Sequence, residues 1–135
     1  MRTHSIKTTY LIHEALVSNT ELMKLIKDEN IFLVIGEEEA VFPYAVITRT
    51  SIKTPSRSNK DLTSEDVVTF NIKVYSDKYN VSVDIADAIR LFLERRVLTD
   101  NNIKISQTEL TFCSEQWVGD AYQQNMDFQC TVENI

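Results

Sequence analysis

The sequence predicts an α+β domain: an antiparallel or mixed β-sheet of four to five strands with two to three helices packed on one face. Three observations lead there. Apolar and polar residues alternate at Val68, Phe70, Ile72 and Val74 and again from Tyr122 to Val132, the period-two pattern of strands with one covered face. Apolar residues recur at spacings of three and four between Thr9 and Asp28 and between Val81 and Phe92, the stripe of amphipathic helices. The 135 residues, 43% hydrophobic and 25% charged, suit one globular domain spanning 1–135 with its own core.

In chain order, Ile12, Ala15, Leu16, Leu22, Leu25 and Ile26 form the first stripe. Ser18-Asn19-Thr20-Glu21 interrupts it as a capping box, the Ser18 hydroxyl accepting an orphan amide, so a helical hairpin or a kinked helix is expected. Ile31 to Ile35 is a short strand, and Gly36-Glu37-Glu38-Glu39 an exposed turn. Tyr44 to Ser51 alternates as a strand, with Pro43 just before it, where it breaks no ladder. Residues 53–66 are polar and hold Pro55, Ser56, Ser58 and Asn59, which predicts a long mobile loop.

Val68 to Ser76 is the next strand, and Asn80 is placed to cap a helix with Val81, Ile85, Ala88, Ile89 and Phe92 on one face. Arg95 and Arg96 fall in its last turn, and Asp84, Asp87, Arg90 and Glu94 form a solvated opposite face. Ile103, Ile105, Leu110 and Phe112 predict a strand with an irregularity near Gln107, such as a bulge. Residues 115–120 join it to the final strand, where Tyr122, Gln124, Met126, Phe128, Cys130 and Val132 share one face.

Composition narrows function by exclusion. Only Gly36 and Gly119 are glycines, so neither a P-loop nor a dinucleotide fingerprint can be built. Fourteen basic against twenty acidic residues give a net charge of −6, which disfavours tight capture of a nucleic-acid backbone. The basic start is followed by no apolar stretch, so no secretory signal and no membrane span are expected. Cys113 and Cys130 lack metal or redox spacing and are expected to be reduced thiols.

No catalytic constellation emerges. His4 and His13 are the only histidines, and His13-Glu14 lacks the second histidine that a zinc helix needs, so no metal and no cofactor are expected. Glu37, Glu38 and Glu39 solvate a turn, and Asp84, Asp87 and Glu115 could serve a hydrolase only with a metal. Lys53, Arg57 and Lys60 are the one local excess of positive charge and are candidates for a partner interface. Trp117, in a polar connection, is either an interface anchor or folded back on its hairpin.

Phe42-Pro43-Tyr44-Ala45-Val46-Ile47, then Val68-Thr69-Phe70-Asn71-Ile72-Lys73-Val74-Tyr75-Ser76, then Asp84-Ile85-Ala86-Asp87-Ala88-Ile89 resemble the phage tail-completion family, short proteins of tailed phages and prophages akin to tail terminators and head-to-tail joining proteins. The resemblance runs from the N-terminal helix to about Leu93, with a looser match in the final hairpin. It implies a non-enzymatic subunit that assembles, usually as a hexamer, into a ring capping the tail tube and joining it to the head connector. By the same resemblance DNA passes through without specific binding, and the protein works in the host cytoplasm during assembly and then in the virion tail. The family's loop between the two central strands corresponds to residues 53–66 and is expected to touch a ring neighbour or the tube. The rival expectation is a small-ligand or regulatory binding module, recognised by a ligand-induced rise in melting temperature.

Overall fold

Six strands form one mixed sheet, whose order, counting the strands along the chain, is first, second, third, sixth, fifth, fourth, and the helices cover one of its faces. The computed structural model describes residues 3–36, 40–55 and 65–135. The elements are α1 (Thr8–Val17), α2 (Thr20–Met23), β1 (Ile31–Leu33), β2 (Tyr44–Lys53), β3 (Glu65–Ser76), α3 (Tyr79–Leu93), β4 (Leu98–Thr99), β5 (Ile103–Val118) and β6 (Ala121–Asn134). The expected four to five strands become six because the two-residue β4 pairs with Ile105 and Lys104, too short to show a period.

The pairing is antiparallel except for β1, which runs parallel to β2 with Ile31 beside Ala45 and Leu33 beside Ile47. The expected strand to Ile35 stops at Leu33 because Val34 turns into the left-handed region with φ 70°, leaving Val34 and Ile35 exposed. β3 and β6 lie at the centre of the order and supply the heart of the core. Val68, Phe70, Ile72 and Val74 face the helices beside Met126, Phe128, Cys130 and Val132, all of them buried.

The helix break falls where the sequence predicts, but the cap is Asn19 and not Ser18. Asn19 has the extended backbone an N-cap needs, and its side chain accepts from the amides of Glu21 and Leu22 at 2.9 and 3.3 Å. Ser18 still has helical backbone and donates its hydroxyl to the Glu14 carbonyl at 2.8 Å. Asn19→Ala is therefore expected to cost about 1 kcal/mol in thermal unfolding, and Ser18→Ala much less. Leu25, expected on the apolar stripe, lies beyond α2 and is exposed.

α3 begins before Asn80, with Lys78 in the capping position, where a lysine offers no acceptor. Ser76 instead accepts from the Lys78 amide at 3.1 Å. Its buried face holds Ser82, Ile85, Ala86, Ile89 and Leu93, with Val81, Ala88 and Phe92 half-buried at its margins. Arg95 and Arg96 lie past the last turn because Arg95 reverses to φ 61°, its amide donating to the Thr108 carbonyl. Arg96 still serves the helix end, donating to the Phe92 carbonyl at 2.7 Å with its guanidinium 4.2 Å from the Phe92 ring centre.

Two further corrections bear on the site. Residues 115–120 are not a connection: β5 runs to Val118, and only Gly119 and Asp120 turn the chain, at φ 56° and 63°, both positive as a two-residue type I′ hairpin requires. The expected irregularity near Gln107 is present as a register shift between Ser106 and Glu109, with Gln107 at φ 54°, and a second shift follows between Leu110 and Phe112. The expected loop is trimmed, since β2 keeps Lys53 and β3 keeps Glu65 and Asp66. Residues 56–64, and the Glu37–Glu39 turn, lie outside the described residues.

Candidate interaction surface

The β5–β6 hairpin exposes two large aromatic side chains, Phe112 and Trp117. β4 pairs only with residues 104 and 105 of β5, so beyond them the outer edge of β5 has no strand neighbour there. Phe112 and Trp117 are 54% and 58% exposed along it.

The two-residue turn fixes which side chains meet. It sets Trp117 opposite Tyr122 and Glu115 opposite Gln124, all on the helix side of the sheet. The start of α3 then brings Tyr79 to Tyr122. Tyr122 is edge-on to Trp117, with ring centres 4.9 Å apart, and to Tyr79 at 5.5 Å. The Tyr79 hydroxyl reaches the Glu115 carboxylate at 3.0 Å, and the Gln124 amide donates to it at 3.0 Å. That hydrogen bond and the carboxylate charge raise the Tyr79 pKa above its ordinary value. The result is an open hollow of about 240 Å³ with aromatic walls and one carboxylate. Trp117 folds back on Tyr122 and keeps more than half its surface in solvent.

Among the described residues, the opposite face of the sheet carries no helix and is laced by polar side chains. Gln116 donates to Gln123, and Gln123 to the Tyr75 hydroxyl, each at 2.9 Å. Asn71 donates to Asn125 at 2.6 Å and to Asp127 at 2.8 Å, and Lys73 donates to the Asn71 oxygen at 3.0 Å. Tyr75 stacks on Tyr44 at 4.8 Å, and Tyr44 on Phe42 at 5.7 Å. Such cross-strand ladders tie the polar side chains of this face together, with Asn71 and Gln123 themselves buried.

Lys53 ends β2, exposed, while Trp117 stands on β5, with β3 and β6 between those two strands. One chain therefore does not bring these two candidates together. Arg57 and Lys60 lie outside the described residues. His13 reaches the Ile31 carbonyl at 2.8 Å. Among the described residues no three His, Cys, Asp or Glu side chains gather to hold a metal ion, and no helix is long and apolar enough to cross a membrane.

The two cysteines differ sharply. Cys113 is exposed on β5, whereas burial on β6 pushes the Cys130 thiol up to about 12. A disulfide-exchange thiol reagent at pH 8 is thus expected to titrate one thiol in the folded chain and two in denaturant. Two fast thiols in the folded protein would contradict the buried placement of Cys130.

The Tyr79–Glu115–Trp117–Tyr122 cluster was not foreseen, although its signal lies in the sequence. Gly119-Asp120 is a two-residue turn dipeptide, and counting outward from it pairs 117 with 122 and 115 with 124. Only Tyr79, some forty residues away, needs the tertiary fold.

No family model matches the chain, and no curated protein matches it. Among solved structures, a chain from the virion of a native gene transfer agent particle is similar over 92% of both chains, with a TM-score of 0.72 at 16% identity. A second solved structure matches 99% of this chain and 97% of its own, with a TM-score of 0.62 at 8% identity. At these identities the likeness shows a shared α+β fold across nearly the whole chain.

Proposed function

We propose that this chain is a non-enzymatic structural subunit of a tailed-phage or prophage particle. More finely, it is a tail-completion or tail-terminator protein whose copies form a ring, a hexamer by resemblance, that caps the tail tube and joins it to the head connector. The observation that carries this reading is the end-to-end fold likeness to a chain of a gene transfer agent virion, added to the packing motifs at residues 42–47, 68–76 and 84–89.

Physical chemistry supports it. A closed ring needs a heterologous interface, in which one patch meets a different patch on the next copy. Lys53 at the end of β2 and Trp117 on β5 supply two such unlike patches. The helix-free face holds Lys73 among amides, hydroxyls and Asp127, so a duplex passing it meets no basic trap. On this reading the subunit is made in the host cytoplasm and ends in the virion tail, with tail tube and head connector as partners.

Native mass spectrometry of the purified chain at rising concentration tests it. Ring-sized species, six copies by the resemblance, are the expected result. A strict monomer at every concentration, with or without tail tube, would contradict it.

A further inference from the structure

The geometry points to the hollow formed by Tyr79, Glu115, Trp117 and Tyr122 as a binding box for a cationic side chain, filled by the basic stretch that begins in β2 of a second copy of this chain. This rests on the ring reading above and deepens it by naming the contact.

Three observations carry the inference. The first is the chemistry of the walls. Aromatic faces attract lysine and arginine heads through the ring quadrupole, and a carboxylate beside them adds charge. Glu115 receives donors from Tyr79 and Gln124, which fix its orientation while leaving part of an ionised carboxylate's four or so acceptor sites open. The second is size: about 240 Å³ holds one side-chain head, below the roughly 300–1,000 Å³ of small-molecule pockets.

The third observation names the occupant. From residue 106 to 135 the chain has five acidic residues and no basic one, while from 40 to 60 it has four basic residues and no acidic one. The first stretch lies on β5 and β6 and the described part of the second on β2, with β3 between β2 and β6. A molecule with complementary charge on two separate stretches matches the next copy head to tail, the arrangement that a ring requires. Lys53, where β2 ends, is the first exposed cation of that stretch, since Arg49 is half-buried and donates to the Ile6 carbonyl at 2.8 Å.

Trp117 is the chain's only tryptophan, so its fluorescence reports on the box alone. The probe is a synthetic peptide with the sequence of residues 49–60, titrated into the full chain at low salt, at a protein concentration where the chain is dispersed. A saturable change in Trp117 emission is expected. It should be abolished when the peptide's four cations are replaced by glutamine, and weakened about three- to fivefold by Glu115→Gln in the protein. Glu115 is exposed, so that variant is expected to fold, and circular dichroism checks this.

Emission unmoved by the peptide, or moved equally by the glutamine peptide, would overturn the inference. So would a response to tetramethylammonium with none to the peptide, which would make the box a small-cation site. The two readings separate cleanly. Rings that persist in Glu115→Gln together with Lys53→Glu, with no peptide response, sink the box and leave the ring. A charge-dependent peptide response in a chain that never forms rings supports the box and sinks the ring.

Discussion

A chain carrying Phe128→Ala is expected to lose about 3–5 kcal/mol of unfolding free energy in urea, the largest effect of any single truncation considered. Phe128 on β6 and Phe70 on β3 pair in register at the centre of the sheet, both with no exposed surface. Their rings stack with centres 5.2 Å apart and planes 13° from parallel. Removing one ring deletes its transfer free energy and strips the other of its stacking partner, in a region whose two strands are each held on both sides and cannot collapse inward. A domain of this size has only about 5–15 kcal/mol in total, so the variant should sit near its unfolding threshold. Phe112→Ala is the control: that ring is more than half exposed on β5, and its loss is expected to stay within about 0.5 kcal/mol. A loss for Phe128→Ala below about 1 kcal/mol would mean that the core is packed elsewhere.

Asp66→Ala is expected to cost about 2–3 kcal/mol, although the residue looks like an ordinary loop acid in the sequence. Its carboxylate is buried at the start of β3 and accepts from the Ser5 hydroxyl at 2.6 Å and the Thr54 hydroxyl at 2.8 Å. The Asn134 amide at the end of β6 donates to the same Ser5 hydroxyl at 2.9 Å. This cluster ties the segment before α1 to strand ends from distant parts of the sequence. Without the acid, the buried Ser5 hydroxyl and the exposed Thr54 hydroxyl lose their acceptor, and leaving the buried group unmet costs more than the bond itself was worth. The loss should be local as well as global: hydrogen exchange should speed up at Lys7 and Thr8 before the central strands respond. Asp66→Asn keeps an acceptor oxygen and is expected to cost distinctly less. Equal costs for the two variants would show that charge, not hydrogen bonding, holds the cluster.

These contrasts show what local pattern can reveal. β3 and β6 were legible because both alternate strictly, and the bulge near Gln107 because the alternation slips there. β4 was not, since two residues carry no period. The end of β5 was hidden because polar residues on an edge exposed on both faces imitate a connection, even though Gly119-Asp120 marked the true turn. Asn19 and Ser18 are both good caps in sequence, and only backbone angles separate them. Trp117 was singled out as a candidate, but the box around it depends on Tyr79, which α3 carries in from a remote part of the chain. Asp66 was placed in a loop because nothing local announces that Ser5 will lie against it.

The central claim is that this chain works by fitting against copies of itself and the end of a tail tube. Electron microscopy of tail tubes incubated with the labelled protein tests that most directly. The account predicts label at one end of each tube, as a discrete annular cap, reduced by Glu115→Gln together with Lys53→Glu. Tubes left bare at both ends, or coated evenly along their length, would contradict it.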